Sequence, residues 1–149
     1  MIWLEWGLEG LAVDRHSSQM WGNGIAEATV MKLPGADHPI TVTRNGKRVR
    51  VTFAGRIIAD TENALTLKEA SYKPALYVPR ADADMSLLAP TNHHTHCPYK
   101  GDASYFTISV DGRSAENAVW SYEQPYPAMA EIKEYLAFYP DRVDKIEEN

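Results

Sequence analysis

One cysteine, Cys97, stands among 149 residues. It excludes any intrachain disulfide and any zinc site built from several thiolates of one chain. An excess of basic charge is also missing. Fifteen Lys and Arg face twenty Asp and Glu, for a net −5, which argues against a protein that holds nucleic acid along its whole surface. No long apolar run occurs either. The most apolar stretch near the start, residues 2–13, is broken by Glu5 and Glu9, whereas a membrane span needs about 20 largely uninterrupted apolar residues. The same stretch lacks the basic leader of a secretory signal. Membrane partners are therefore not expected, and a cytoplasmic location, where a lone thiol stays reduced, is. Internal repeats and low-complexity tracts are absent too. What remains is 44% apolar and 23% charged, the composition of one ordinary globular domain.

Residues 1–30 differ from the rest. They carry Trp3, Trp6 and Trp21, and Leu4, Leu8 and Leu11 fall on one face of a helix that Gly7 and Gly10 would weaken. Met31-Lys-Leu-Pro-Gly35 reads as a fresh beginning. Two expectations stand side by side: an extension upstream of a natural start at Met31, or an appended helix packed on the domain or on a partner. From Ile40 onward the period is two. Ile40–Thr43 and Val49–Phe53 alternate around Asn45-Gly46, a strong hairpin signal. Further strands are expected at 56–59, 64–67, 75–78, 105–110 and 118–122, with a closing pair at 137–139 and 142–143. Short helices are expected over 82–88 and from Pro127 to about Leu136. The segment 91–101 reads as a polar loop and 111–117 as a hairpin loop. The fold class is mainly β: a compact, curled, antiparallel, barrel-like domain over 31–149 with one or two short helices.

The densest polar cluster is Thr91-Asn-His-His-Thr-His-Cys-Pro-Tyr-Lys-Gly101. Three histidines beside a thiol invite zinc, but His93 and His94 point apart on an extended chain, and the remaining ligands would have to be Asp, Glu or the distant His16 and His38. No metal and no cofactor are expected. Pro98 and Gly101 could present Cys97 and Lys100 together. An ammonium nearby makes a thiol more nucleophilic and can also hold a carboxylate or phosphate as a point charge. The plain alternative is an inert buried cysteine beside a lysine paired with a structural acid such as Glu69. Lys100 is not a P-loop lysine, since Gly101 and Asp102 follow it and no glycine-rich run precedes it. Trp120 and Tyr122 share one side of a strand. They are core, or they wall a pocket for a planar ligand that Lys100 and Glu69 anchor. Arg44, Lys47, Arg48, Arg50 and Arg56 make the early hairpin basic, the mark of a sheet edge guarded against aggregation.

The order of Ala64-Leu-Thr-Leu-Lys-Glu69, Tyr77-Val-Pro-Arg80 with Asp82, Thr95-His-Cys-Pro-Tyr-Lys-Gly-Asp-Ala-Ser-Tyr105, Val119-Trp-Ser-Tyr-Glu-Gln-Pro125 and Leu136-Ala-Phe-Tyr139 resembles a bacterial domain-of-unknown-function family. Its hallmark is C-P-Y-K-G-x-A, and some catalogues label it nucleotidyltransferase-like. The resemblance covers roughly 31–149. It implies a small β domain related to the β-tent folds, some of which hold zinc or a small ligand. Its pattern falls on Glu69, Tyr77, Asp82, Thr95, Cys97, Lys100, Trp120 and Tyr122. The zinc-bearing cysteine pairs of β-tents are missing. Nucleotidyl transfer would call for paired carboxylates on a strand to hold Mg²⁺, and Asp82-Ala-Asp84 has that spacing on a loop or helix. The expected function is binding of a small polar or anionic molecule in a pocket anchored by Lys100 and Glu69, with Tyr77, Thr95, Trp120 and Tyr122 lining it. The alternatives are an enzyme using Cys97, Lys100 and Asp82, and a structural or interaction module built on the basic hairpin and the tryptophan-rich leader.

Overall fold

The computed structural model describes residues 30–149, so the expectations for the leading segment, its tryptophans and His16 lie outside the described residues. Ten strands follow one another: β1 Ile40–Arg44, β2 Val49–Phe53, β3 Arg56–Thr61, β4 Leu65–Glu69, β5 Ala75–Tyr77, β6 Leu88–Cys97, β7 Gly101–Val110, β8 Arg113–Ser121, β9 Ala137–Phe138 and β10 Lys145–Glu148. They form three antiparallel sheets in the orders β1-β4-β5, β10-β2-β3 and β6-β7-β8-β9. The mainly β, antiparallel class is as the alternating sequence implies. The sheets do not close into a barrel.

Tight turns explain much of the pairing. Ala54-Gly55 and Asp111-Gly112 both place two successive residues at positive φ, 54° and 75° in one and 46° and 84° in the other. That twist matches a right-handed strand pair, and each turn joins an antiparallel hairpin, β2-β3 and β7-β8. The second turn is two residues long, so β8 begins at Arg113 rather than Ala118. Asn45-Gly46, by contrast, is no hairpin. β1 pairs with β4 and β2 with β3 and β10, because β4 offers β1 a five-residue register from Ile40↔Glu69 to Arg44↔Leu65. Asn45 serves as a tie between sheets, its side-chain amide donating to Thr66 Oγ1 at 2.9 Å and to Glu148 Oε1 at 3.2 Å.

The expected helices are short 3₁₀ turns. Pro127–Ile132 is broken at Met129 (φ −114°, ψ 23°), and 82–88 resolves into Arg80–Asp82 and Met85–Leu87. Few residues separate their ends from the sheet strands, too few for the cooperative length a helix needs. The polar stretch before Cys97 is not a loop but β6, an edge strand of the four-stranded sheet with a bulge between Pro90 and His94. An edge beside a bulge is where proline fits a sheet. The expected closing strand at 142–143 lies instead at β10, which pairs with β2.

β7 ties the core together. Its buried positions are Gly101, Ala103 and Tyr105, then Phe106, Ile108 and Val110, a change of face midway along the strand. The latter half joins Val49, Val51, Phe53, Ile58, Val119 and Phe138 in one apolar cluster. The former half joins Leu67, Tyr77, Cys97, Trp120, Tyr122 and Ile132 in another. The turn from β6 into β7 is held from both sides. Lys32 N–H donates to Pro98 O at 2.8 Å and Tyr126 N–H to Lys100 O at 3.0 Å. Gly101 carries φ +108°, with Tyr126 N 3.5 Å and Gln124 O 3.6 Å from where a Cβ would stand. A side chain there would meet these main-chain atoms at ordinary contact distance, but it is strained by the backbone angle. Gly101→Ala should therefore cost about 1–3 kcal/mol, read as a lower urea midpoint with an unchanged m-value.

Candidate functional site

Three segments meet at one point. The Cys97-Pro-Tyr-Lys100 turn closes through Lys100 N–H donating to Cys97 O at 3.2 Å. Its lysine runs inward and is 1% exposed. At the end of β4, Glu69 is also buried, and its Oε1 accepts a hydrogen bond from Lys100 Nζ. The third segment is the tight turn at 35–38, where Gly35 and His38 exchange backbone hydrogen bonds of 3.3 and 3.0 Å. It delivers His38, whose Nε2 lies 2.8 Å from Glu69 Oε2. The imidazole stacks on Tyr99 with centroids 4.0 Å apart and planes 7° from parallel. Both carboxylate oxygens thus have a nitrogen partner, one from the core and one from the half-exposed rim.

Electrostatics follow from that geometry. Burial pushes the Glu69 carboxyl up, but the charge and hydrogen bond of Lys100, helped by His38, outweigh it and hold the group below its ordinary value. The ammonium lies 5.9 Å from the centre of the Tyr122 ring, within reach of cation–π attraction. Burial raises the Tyr122 and Tyr77 phenols well above their usual range, so both rings stay neutral at physiological pH. Trp120 Nε1 donates to Tyr77 Oη at 3.1 Å, and the two rings meet edge to face at 6.2 Å and 88°.

Glu69, Tyr77, Cys97, Lys100, Trp120 and Tyr122 are therefore gathered in and around one buried cluster. Thr95 shares the sheet face of Cys97 but bonds Tyr105 Oη at 2.9 Å. Asp82 is elsewhere: it sits in the 3₁₀ turn after β5 and accepts from Thr61 Oγ1 at 2.7 Å. Its neighbour Asp84 caps the next turn, accepting from Ser86 N–H at 3.1 Å. Cys97 is 3% exposed. Among the loop histidines of the sequence, His93 lies against the Tyr105 ring at 4.6 Å and His96 pairs with Asp102 at 2.7 Å. Among the described residues no group of three or more His, Cys, Asp or Glu is arranged to hold a metal ion. Of the basic residues expected on an early hairpin, Arg48 forks onto Asp60 with two contacts of 2.9 Å.

Two members escape a reading of the sequence. His38 enters that reading only as a remote metal ligand, and Tyr99 only as a member of the Cys97–Gly101 motif. Their signal is the register Ile40↔Glu69, which brings the residues before β1 to the end of β4. Trp120, though 1% exposed, also borders a second space. With Phe138, Tyr139, Val49, Val51 and Ile146 it lines a groove of about 750 Å³, and Lys100 and Glu69 do not line it.

Residues 41–149 match the model of a domain of unknown function, DUF427, whose label is NTP_transf_9, and the chain belongs to this family. No curated protein matches the chain. Among the described residues no helix is long and apolar enough to cross a membrane.

Two outcomes follow from the buried pair. Lys100→Met should cost about 3 kcal/mol, because it strands the buried Glu69 carboxylate without its ammonium; adding Glu69→Leu should recover most of that loss. Chemical denaturation of the three proteins measures both. Glu69 has a depressed carboxyl in the folded state, so its stabilisation is full above the unfolded value of 4.5 and disappears as pH falls through the folded one. Across that range, as pH falls from the unfolded value through the folded one, Glu69→Gln should therefore show a shallower acid loss of stability than the parent chain, measured as denaturation midpoint against pH.

Proposed function

We propose that this domain binds a small polar or anionic molecule in the cytoplasm, through the Lys100–Glu69 centre, with Tyr77, Trp120 and Tyr122 as its aromatic wall. One observation carries the reading: a lysine 1% exposed is ion-paired to a buried glutamate. Such a pair is a poor way to gain stability, since removing two charges from water costs several kcal/mol per ion and well-packed apolar side chains would serve as well or better. Charge kept in a core at that cost points to charge that is used. The centre is not sealed from solvent, because His38 leaves a quarter of its side chain exposed while touching Glu69. An anionic group entering beside His38 and Tyr99 competes with the Glu69 carboxylate for Lys100. An ammonium 1% exposed is weakly screened by solvent, which strengthens that competition.

Support runs to binding more than to nucleotidyl transfer. The carboxylates spaced for a metal, Asp82 and Asp84, are both engaged as acceptors of local hydrogen bonds with Thr61 and Ser86. They also lie on a different part of the chain from Lys100.

A thermal-shift screen with inorganic phosphate, nucleotides and small carboxylic acids tests the reading. A true ligand at 100 times its dissociation constant should add about 2.7 kcal/mol to stability. The Lys100→Met, Glu69→Leu double variant should stay folded and lose that gain. If no anion stabilises the parent chain, or if the double variant responds equally, the assignment is wrong.

A further inference from the structure

We infer that a second binding site, separate from the Lys100 centre, lies across β6, β7, β8 and the 139–142 segment, and that it takes a small zwitterion of the free α-amino-acid class. A pocket of about 470 Å³ opens there, a size suited to a small molecule. Its floor is a pair of buried hydroxyls, Thr95 Oγ1 and Tyr105 Oη, 2.9 Å apart. One wall is His93, tilted 63° against Tyr105 at 4.6 Å.

Two residues of opposite charge line this pocket. Arg142 lines it with its guanidinium fixed from two directions. Nη1 donates to the carbonyls of Asn117 at 2.9 Å and Glu116 at 3.4 Å, and the plane covers Tyr139 at 4.6 Å. Nε and Nη2 are left over, the parallel pair of donors that a carboxylate fits. Glu116 lines the same pocket, and its carboxylate has no ion pair or hydrogen bond among the described residues. Asn117 is held by Thr91 Oγ1, which donates to its Oδ1 at 2.7 Å, so its side-chain N–H groups remain to donate. A simple anion would meet Arg142 but be repelled by Glu116, and a simple cation the reverse. A molecule with a carboxylate at one end and an ammonium at the other satisfies both, with neutral hydroxyls and rings around its middle. Holding the guanidinium before the ligand arrives lowers the ordering cost of binding.

Isothermal titration of the full chain with L-glutamine and L-phenylalanine tests this, alongside their N-acetyl and amide derivatives and glucose. Saturable binding of at least one amino acid is expected, weakened about tenfold or more when either of its charges is blocked. Glu116→Gln and Arg142→Ala should each weaken it by a similar factor. Glu116 is exposed, so its variant keeps the fold even if loss of the Arg142 contacts disturbs it. The Lys100→Met, Glu69→Leu double variant should retain amino-acid binding, which separates this site from the one proposed above. Absence of saturable binding up to about 10 mM, equal binding of the N-acetyl forms, binding of glucose alone, or an unchanged affinity in Glu116→Gln would each overturn the inference. Loss of amino-acid binding in the folded double variant would overturn its separateness.

Discussion

A charge placed in an apolar core must find its opposite there, and Lys100 finds Glu69. That single requirement fixes three parts of the chain that are far apart in sequence. The β6–β7 turn must aim its lysine inward, β4 must end where the carboxylate can receive it, and the 35–38 turn must bring His38 to the other oxygen. Each is secured by main-chain contacts that do not involve the charges. Tyr126 N–H holds the carbonyl of Lys100, and Ala70 N–H, just past Glu69, donates to Pro39 O at 2.8 Å. The geometry of the pair is thus imposed by the backbone, and the two side chains have little freedom to lose in meeting.

Local signals in the sequence mark where hairpins turn, although the loop expected over 111–117 is a two-residue turn. Ala54-Gly55 and Asp111-Gly112 need positive φ at two successive residues, and both make hairpins. The alternation of Val49, Val51 and Phe53 marks a strand with one buried face. Asn45-Gly46 carries the same kind of signal and yet joins two different sheets. Turn chemistry fixes the direction of the chain, whereas the partner of β1 is decided by β4, more than twenty residues onward. The histidine-rich segment misleads for a related reason. Its polarity suggests a loop, but an edge strand can carry polar residues on its solvent face while Thr95 and Cys97 on the other face are buried.

The cluster around Lys100 was partly legible. Trp120 and Tyr122 are two residues apart on a strand, which puts them on one side whatever the fold, and Cys97 and Lys100 are close by covalent connection. Glu69 could be named as a partner because a buried lysine requires an acid. His38 could not, since only the long-range register carries it to the carboxylate. Asp82 illustrates the opposite case: the family resemblance implies a role near Lys100, but the 3₁₀ turn after β5 directs it to Thr61.

The change of face along β7 explains how so small a domain can hold two polar regions without weakening either core. Had β7 kept one phase, Tyr105 and Phe106 could not both be buried, and one side of the four-stranded sheet would face water along its length. Instead Gly101, Ala103 and Tyr105 serve the cluster beneath Lys100, and Phe106, Ile108 and Val110 serve the cluster against β2 and β3. The switch falls at Tyr105. Its ring closes the first cluster while its hydroxyl meets Thr95 in the pocket that Arg142 and Glu116 flank. Trp120, opposite Tyr105 in register, makes the matching compromise on β8, with its indole N–H turned to Tyr77 and its ring toward the outer groove. One cross-strand pair therefore joins the buried charge, the polar pocket and the groove. A change in the packing of either ring must be felt at all three, because close-packed interiors transmit small displacements instead of absorbing them.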